Sequence, residues 1–311
     1  MTARFIAPAA LAVAGLAFVT APGAQTLNGF DLRGALVDPA EIHRGGPPKD
    51  GIPAIDRPRF VKAHEAQMKP GDRILGVERN GEAKAYPVRI LNWHEVVNDS
   101  VGGEPVSVTY CPLCGSGVTF SRIVNGKRRS FGVSGLLYNS DVLLYDRESN
   151  SLWSQLLAKA VTGSSQGEQL TVVPTAHTSW EDWVGRHPET LVLSEDTGYT
   201  RNYSRDPYAG YDVNPMIYFP VKNSSSRFDS KEVVLGLEID GRYKAYPFAE
   251  LAKTEGVVVD KVGGREVRVA FDAKHRTARV LDGSGKELPS VIAYWFAWYA
   301  FYPQGEVFYA K

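Results

Sequence analysis

The sequence predicts a mainly β fold, a β-rich α+β arrangement of internally duplicated strand–turn–strand meander units with a few short helices. Asn80-Gly81 and Asn125-Gly126 each separate two alternating, strand-like segments, which is the pattern of two-residue hairpins. The 311 residues include 30 Gly and 19 Pro, a supply of turn-formers that suits short strands and many loops. One strand–turn–strand segment also occurs twice.

Composition narrows the class of protein. Hydrophobic residues make up 43% of the chain and charged residues 23%, ordinary values for a globular protein that argue against disorder and coiled coil. Lys and Arg total 35, as do Asp and Glu, so there is no basic surplus and nucleic acid is not the expected partner. With only 2 Cys, no disulfide framework can hold the fold.

The N-terminus has the features of a secretory signal peptide over residues 1–24. Arg4 precedes the apolar stretch Phe5–Val19, and Ala21-Pro22-Gly23 offers small residues for cleavage. The apolar stretch is shorter than the roughly 20 residues that cross a bilayer, although an uncleaved anchor remains the alternative. We therefore expect Sec-type export to the periplasm or the extracellular space, with no transmembrane segment in the mature chain.

After the leader, residues 25–58 are loop-rich and residues 59–311 are expected to form a single β-rich domain. Arg59–Met68 is predicted as a short helix that Pro70-Gly71 stops, and Thr178–Gly185 as another. The aromatic run Tyr294–Tyr302 is interpreted as core packing. The predicted strands are Arg73–Arg79, Glu82–Ile90, Val106–Tyr110, Val118–Val124, Lys127–Val133, Asp141–Arg147, Leu152–Gln155 and Leu191–Ser194.

The internal repeat relates residues 74–122 to residues 234–282. ILGVERNGEAKAYPVRIL at 74–91 and VLGLEIDGRYKAYPFAEL at 234–251 share nine of 18 positions. With one inserted residue, 99–110 and 260–271 share six of 12. The shared residues are turn glycines and strand apolars, whereas Cys111 and Cys114 align with Asp272 and His275. Only the first copy is therefore expected to carry reactive groups.

Cys111-Pro112-Leu113-Cys114-Gly115 directly follows a predicted strand, and three interpretations compete for it. A metal knuckle uses such a turn to aim both thiolates at one ion, with Gly allowing a left-handed backbone. A structural disulfide is the second interpretation, in line with an oxidising compartment. A redox dithiol is the third, but the thioredoxin motif begins a helix and here another strand follows.

A metal site needs a further donor, and His94 is the candidate. Trp93-His94-Glu95-Val96-Val97-Asn98 resembles a metalloprotease helix but has Asn98 where the second His is required, so a zinc peptidase is excluded on ligand count. An ordinary hydrogen-bonded histidine is the alternative. Two thiolates and one imidazole suit zinc or copper. A fourth donor from His43, His177, Met216 or solvent is left open.

A polar and aromatic stretch, SGLLYNSDVLLYDRESNSLWSQ at 134–155, is the candidate pocket wall. An Asp–Arg pair could orient a ligand there, while the alternative is a surface hairpin with solvated charges. No phosphate loop or dinucleotide fingerprint occurs, so no nucleotide cofactor is expected. The pocket candidates are Glu95, Asn139, Asp141, Arg147, Trp153 and Gln155.

Several long motifs are similar to those of one known family. They are VGG-PV-VTYCPLCGS within 94–120, SGLLYNSDVLLYDRES-SLW, the DTG-TR-Y-PY-GY loop and the late KAYPF. Over most of residues 40–300 the chain resembles the secreted prokaryotic family known only as domain of unknown function 3179. The resemblance carries no established activity.

The residues together predict an exported metal-binding protein, with an oxidoreductase as one form of that function, using Cys111, Cys114 and His94. Its partner would be a small molecule or a redox partner. The alternative function is a non-catalytic secreted binding or scaffold module in which Cys111 and Cys114 form a structural disulfide.

Overall fold

The computed structural model describes residues 26–310, so the predicted signal peptide lies outside the described residues. Strands make up 41% of the described residues, and the helices among them are short, which confirms a mainly β fold. Within residues 26–310, none of the helices combines the length and the hydropathy that a bilayer crossing requires.

The elements are numbered in chain order. Single-turn 3-10 helices cover Pro39–Glu41 and Ala63–Glu65, and the α-helices are α1 Val88–His94, α2 Trp180–Arg186, α3 Phe248–Leu251 and α4 Trp295–Phe301. The strands are β1 Thr26–Leu27, β2 Phe30–Asp31, β3 Ile42–Arg44, β4 Phe60–Lys62, β5 Arg73–Arg79, β6 Glu82–Pro87, β7 Val96–Val101, β8 Glu104–Cys111, β9 Ser116–Ser121, β10 Ile123–Val124, β11 Lys127–Arg128, β12 Phe131–Tyr138, β13 Asp141–Asp146, β14 Leu152–Ser154, β15 Lys159–Ala160, β16 Val172–Val173, β17 Ala176–Ser179, β18 Leu191–Leu193, β19 Val233–Ile239, β20 Arg242–Pro247, β21 Val257–Val262, β22 Arg265–Asp272, β23 Thr277–Leu281, β24 Glu287–Leu288, β25 Val291–Tyr294 and β26 Glu306–Val307.

Five sheets of four or five strands form a propeller-like ring. Their strand orders are β15-β14-β13-β12-β3, β16-β9-β8-β7, β17-β5-β6-β18-β4, β25-β19-β20-β26 and β21-β22-β23-β24. Each sheet turns at least one apolar face toward a neighbour, so the buried core is divided among several clusters rather than gathered in one layer.

The segments β5–β9 and β19–β23 have the same connectivity and the same register. Each has a hairpin, a short helix, a second hairpin and a four-residue turn to a fifth strand. The matching pairs are Ile74↔Pro87 with Val234↔Pro247, Val96↔Thr109 with Val257↔Ala270, and Cys111↔Ser116 with Asp272↔Thr277.

The correspondence extends beyond the repeat seen in the sequence. β17, α2 and β18 close the first segment as β25, α4 and β26 close the second, with the same antiparallel and parallel partners. Trp183 packs on Gly76, and Trp298 packs on Gly236; a Cβ on either glycine would lie 2.4 Å or 2.1 Å from the tryptophan ring. We call β5–β9 with β17–α2–β18 the first unit, and β19–β23 with β25–α4–β26 the second unit.

The two units contact each other reciprocally. β17 of the first unit touches β23 of the second, and β25 of the second touches β9 of the first, which are equivalent pairs of strands. Such exchange of equivalent contacts is typical of a two-fold relation between like units.

Several local predictions differ from the structure. The predicted strand Val118–Val124 is divided into β9 and β10, and Lys127–Val133 is divided between β11 and β12. Arg59–Met68 is predicted to be a helix, but this segment forms β4 and a single 3-10 turn. The reason is that β4 pairs with β18, and this pairing outweighs the weak helical periodicity. The predicted strand Glu82–Ile90 ends at Pro87, which begins α1 as its N-cap residue.

Candidate functional site

The turn between β8 and β9 carries both cysteines. Cys111 pairs with Ser116 across the strand ends, and the Cys114 amide donates to the Cys111 carbonyl at 3.2 Å. Gly115 takes a φ of 60°, and a Cβ there would lie 2.8 Å from the Tyr294 ring, so both conformation and space require glycine. The two sulfurs are buried, free and 3.6 Å apart.

A third donor reaches the cysteines from another sheet. β12 and β13 are joined by a tight turn in which Asn139 and Ser140 both have positive φ, the backbone of a two-residue hairpin. This turn brings the Ser140 carbonyl to 3.4 Å from the Cys114 sulfur. The next residue is Asp141, which is fully buried.

Asp141 and the two cysteines form a compact donor cluster. One ligand atom from each of the three lies within 4.8 Å of the other two. Asp141 Oδ2 accepts a hydrogen bond from the Leu156 amide at 3.0 Å, whereas Asp141 Oδ1 is buried with no hydrogen-bond partner in the described part of the chain. A buried carboxylate oxygen without a partner is costly unless it is protonated or binds a cation.

Burial governs the proton affinity of this cluster. It raises the pKa of Asp141 to about 7, against the hydrogen bonds from the Leu156 and Val142 amides. Burial also raises the pKa of Cys114 well above its ordinary value, aided by Cys111 and Asp141. Without a bound cation, these groups therefore tend to hold their protons at neutral pH.

Glu95 lies on the edge of the same cluster. It follows α1 in a left-handed conformation with a φ of 58°, unusual for a side chain of its size. Burial, and then the charge of Asp141, raises its pKa to about 8, while a hydrogen bond with Tyr208 acts in the opposite direction. Two buried carboxyl groups thus influence each other beside two thiols.

His94 is placed differently from the predicted Cys₂His arrangement. Its Nδ1 lies 2.8 Å from the Pro53 carbonyl and its Nε2 lies 2.7 Å from the Tyr203 hydroxyl. Both ring nitrogens are thus used within the protein, and the donor that joins the two sulfurs is Asp141 instead. His94 anchors the end of α1 to the loop that carries Tyr203.

The other pocket candidates are scattered through this region. Asn139 Oδ1 accepts from the Lys222 amide at 2.8 Å, and Trp153 Nε1 donates to Asp146 at 2.8 Å, which are structural roles. Gln155 links β9 to β8, accepting from Ser116 at 2.6 Å and donating to Thr109 at 2.8 Å. Arg147 pairs with Asp56 at 2.5 Å rather than with Asp141.

The β12–β13 hairpin is not a solvated surface hairpin. All residues of both strands are buried. The expected Asp–Arg pair does not form within the described residues of this hairpin, because Arg147 pairs with Asp56. Asp141 lies beside the two thiols instead.

A long loop covers the cluster. Residues 194–232 contain neither helix nor strand, a length that is usually functional in a folded domain. Tyr203 bonds to His94, and Tyr208 lies close enough to Glu95 to lower the pKa of its carboxyl group. Lys231 fixes the following segment: its Nζ donates to the carbonyls of Tyr211 and Asn214 at 2.8 Å and lies 3.4 Å from the Tyr211 ring centroid.

Comparison with known proteins gives one match. Residues 49–285 match the family described as "Protein of unknown function (DUF3179)", which is more than half of the chain. The chain belongs to this family. The matched region of the DUF3179 chain includes Cys111, Cys114, Asp141, Glu95 and the covering loop. No curated protein matches the chain, and no solved structure does.

Proposed function

We propose that this protein binds a single metal ion through Cys111, Cys114 and Asp141. The observation that carries the proposal is the buried Asp141 Oδ1, which lacks a hydrogen-bond partner among the described residues and belongs to a cluster with two free thiols. A bound cation would supply the missing partner and allow all three donors to be deprotonated.

The spacing of the donors supports this proposal. Two thiolates at about 2.3 Å from one tetrahedral ion stand roughly 3.8 Å apart. The two sulfurs are 3.6 Å apart, close to that value, and both are held by the same turn. The cluster therefore needs little rearrangement of the cysteines to take an ion.

The donor set favours zinc. Two thiolates alone would suit copper(I), but a carboxylate oxygen is a harder ligand and joins thiolates readily at zinc. Three protein donors leave one position, which in catalytic zinc sites holds water or substrate. Glu95 is a further buried carboxyl group whose pKa is raised by the charge of Asp141, and it would serve as an outer partner or an additional donor.

Metal content tests the proposal directly. Full-length protein loaded with zinc and dialysed should retain one equivalent by elemental analysis. Cys111→Ser and Asp141→Asn should each reduce the bound zinc at least tenfold. His94→Gln is the matched control, since both ring nitrogens already have protein partners, and it should keep its zinc.

Cobalt(II) substitution adds a spectroscopic readout. A thiolate-to-cobalt charge-transfer band should appear in the parent protein and in His94→Gln, and should be lost in Cys111→Ser. Retention of full metal content in both Cys111→Ser and Asp141→Asn would falsify the proposal.

A disulfide between Cys111 and Cys114 is the second candidate, favoured by the same 3.6 Å separation. Closure to a bond of about 2.05 Å brings the sulfurs about 1.5 Å closer, and an external oxidant must accept two electrons while both thiols lose their protons. Thiol counting on protein purified without reductant decides between the two: two titratable thiols after denaturation support the metal centre, and none supports the disulfide.

The protein is proposed to act outside the cytoplasm, because residues 1–24 have the charge and hydropathy pattern of a signal peptide. N-terminal sequencing of protein from its native host should find a chain that begins near Ala24 or Gln25. A chain that retains Met1 in the cytoplasm contradicts export.

A further inference from the structure

A cavity of about 220 Å³ lies where the two units meet. It is separate from the thiol cluster and touches only the outer side of the cysteine turn, at Pro112 and Gly115. Its walls come from equivalent positions of the two units. The equivalent pairs that line it are Arg73 with Val233, His177 with Ile292, and Gly115 with Arg276.

Arg73 brings a positive charge to this cavity. Its guanidinium donates to the carbonyls of His275 at 2.7 Å, His177 at 2.8 Å and Arg276 at 3.2 Å, and two of its five N–H donors are left for a ligand. Within residues 26–310 it forms no salt bridge with a carboxylate, and burial together with the charge of Arg276 lowers its pKa to about 10. A partly buried cation beside a second cation is unfavourable unless an anion joins them.

Arg276 is the second cation, held in a backbone conformation that arginine rarely adopts. Its φ is 48°, and the equivalent residue of the first unit is Gly115 at 60°. The left-handed conformation costs a non-glycine residue about 1 kcal/mol. Space permits the side chain here because Ser179 occupies the place that Tyr294 takes against Gly115. Such strain often marks functional positions.

His177 provides an independent sign of a ligand. Its side chain lines the cavity and is only 8% exposed, yet its Nδ1 is buried without a hydrogen-bond partner among the described residues. The ring is held edge-on against Tyr110 with 5.9 Å between centroids. Buried polar atoms are normally paired, so the unpaired Nδ1 of a histidine whose side chain lines the cavity indicates a missing partner.

We propose that this cavity binds the anionic group, a carboxylate or a phosphate, of a small molecule. Arg73 and Arg276 would neutralise its charge, and arginine is suited to both groups because its donors bind two oxygens at once. The His177 imidazole would complete the hydrogen bonds. This proposal does not depend on the metal centre, since no residue of the donor cluster lines the cavity.

The remaining wall restricts the ligand further. Asp206 and Asp212 belong to the covering loop and line the cavity as well. Asp206 already accepts from Asn92 at 3.0 Å. These carboxylates disfavour a polyanion and favour hydroxyl or ammonium groups on the part of the ligand that points away from the arginines.

Thermal unfolding at constant ionic strength tests the site with two probes, inorganic phosphate and acetate, titrated into full-length protein. A probe that binds the native state raises the melting temperature with a saturable dependence on its concentration. At least one probe should do so. Saturation by phosphate alone identifies a phosphate site, and saturation by acetate alone identifies a carboxylate site.

Each of the two arginines can be replaced by the residue that stands at the equivalent position of the other unit. Arg276→Gly introduces the residue of the equivalent turn, and Arg73→Val introduces that of the equivalent strand. Each variant should raise the dissociation constant of the anion at least tenfold. Lys274→Ala is the matched control, because Lys274 lies in the same turn but pairs with Glu181 at 2.9 Å outside the cavity. It should change the dissociation constant less than twofold.

The proposal is overturned if neither probe saturates in the parent protein. It is equally overturned if Arg276→Gly and Lys274→Ala change the dissociation constant alike, since that result describes a general surface charge. Arg276→Gly should fold at least as well as the parent, because glycine suits a φ of 48°.

Discussion

The two units have the same backbone fold, and they differ at the turn that follows the fourth strand of each. In the first unit this turn holds Cys111 and Cys114, and the residues between β9 and β17 build four of the five strands of the sheet that supplies Asp141. In the second unit, the equivalent turn holds His275 and Arg276, and only the short strand β24 stands between β23 and β25. The thiol cluster thus needs both a changed turn and an inserted sheet.

The difference shows how one duplicated scaffold can carry two kinds of chemistry. The inner side of the first turn forms a negatively ionisable cluster, while the second turn presents a cation to the space between the units. Each turn is completed by the closing strand of the opposite unit: the Tyr294 amide donates to the Cys114 carbonyl at 2.8 Å, and Ser179 Oγ lies 2.7 Å from His275 Nδ1.

The largest expected effect comes from the glycines that are shared by both units. Gly76→Ala and Gly236→Ala should each lower the free energy of unfolding by about 3 kcal/mol, because the new methyl group would overlap Trp183 or Trp298. Chemical denaturation measures both. Gly185→Ala in α2 is the control, with nothing within 4 Å of the new Cβ, and should not destabilise. A large loss in only one unit would break their equivalence.

A smaller and matched effect is expected for the buried tyrosines of the Lys-Ala-Tyr-Pro segments. Tyr86 donates to Asp99 at 2.7 Å, and Tyr246 donates to Asp260 at 2.9 Å. Tyr86→Phe and Tyr246→Phe should each cost about 1.5 kcal/mol, the value of a hydrogen bond to a charged group. Urea denaturation should show the two losses agreeing within about 0.5 kcal/mol; a neutral result in either variant contradicts a shared scaffold.

The two units should differ in how pH affects their stability, because the first unit has a titratable residue, His177, where the second unit has Ile292. Burial, followed by Arg73 and Arg276, lowers the pKa of His177 well below its ordinary value. The unfolded chain then binds more protons than the folded one below about pH 6.5, so stability falls on acidification. From pH 7.5 to 5.5 this loss should be on the order of 1 kcal/mol.

His177→Ile should remove that part of the loss while leaving the contributions of other groups in place. The difference between parent and variant, measured by denaturation at each pH, isolates the histidine. Parallel curves for the two proteins would show that protonation of His177 is not what limits stability in acid.

The smallest effect is expected at Arg276. Replacing it with glycine relieves the left-handed backbone and should raise the free energy of unfolding by about 0.5 to 1 kcal/mol in the absence of anions. Gly115→Ala should do the reverse, because the Tyr294 ring leaves no space for the methyl group. Calorimetry of both variants measures the pair, and a loss of stability in Arg276→Gly argues against strain.

Local features of the chain are predictable from the sequence. The strand β5 matches its predicted range, because Asn80-Gly81 is a strong hairpin turn that sets the register of its neighbours. The Cys-x-x-Cys-Gly turn lies between two strands, as predicted. These features depend on residues that are close together in the chain.

Long-range features are not predictable to the same degree. Asp141 is a predicted pocket residue but not a predicted partner of the cysteines, since that role arises from the packing of β12–β13 against a turn about 30 residues earlier. The β17–α2–β18 correspondence escapes sequence comparison because it shares only four of 18 positions with residues 291–308, mainly Trp180 and Trp183 with Trp295 and Trp298. The cavity between the two units is likewise unpredictable from the sequence, because its lining residues come together only in the tertiary structure.

The hydrogen bond from Tyr294 to Cys114 has a consequence for the order in which the protein is assembled during synthesis. The cysteines leave the ribosome about 180 residues before Tyr294 does, so the turn waits for its last backbone partner until the chain is almost complete. The second unit then closes over a shorter segment than the first, 55 residues from Gly236 to Val291 against 100 from Gly76 to Ala176. The entropy difference is only about 0.5 kcal/mol, so the delay is set by synthesis rather than by loop closure. Both thiols are buried in the folded protein, so an external oxidant is expected to reach them before the turn is closed rather than afterwards.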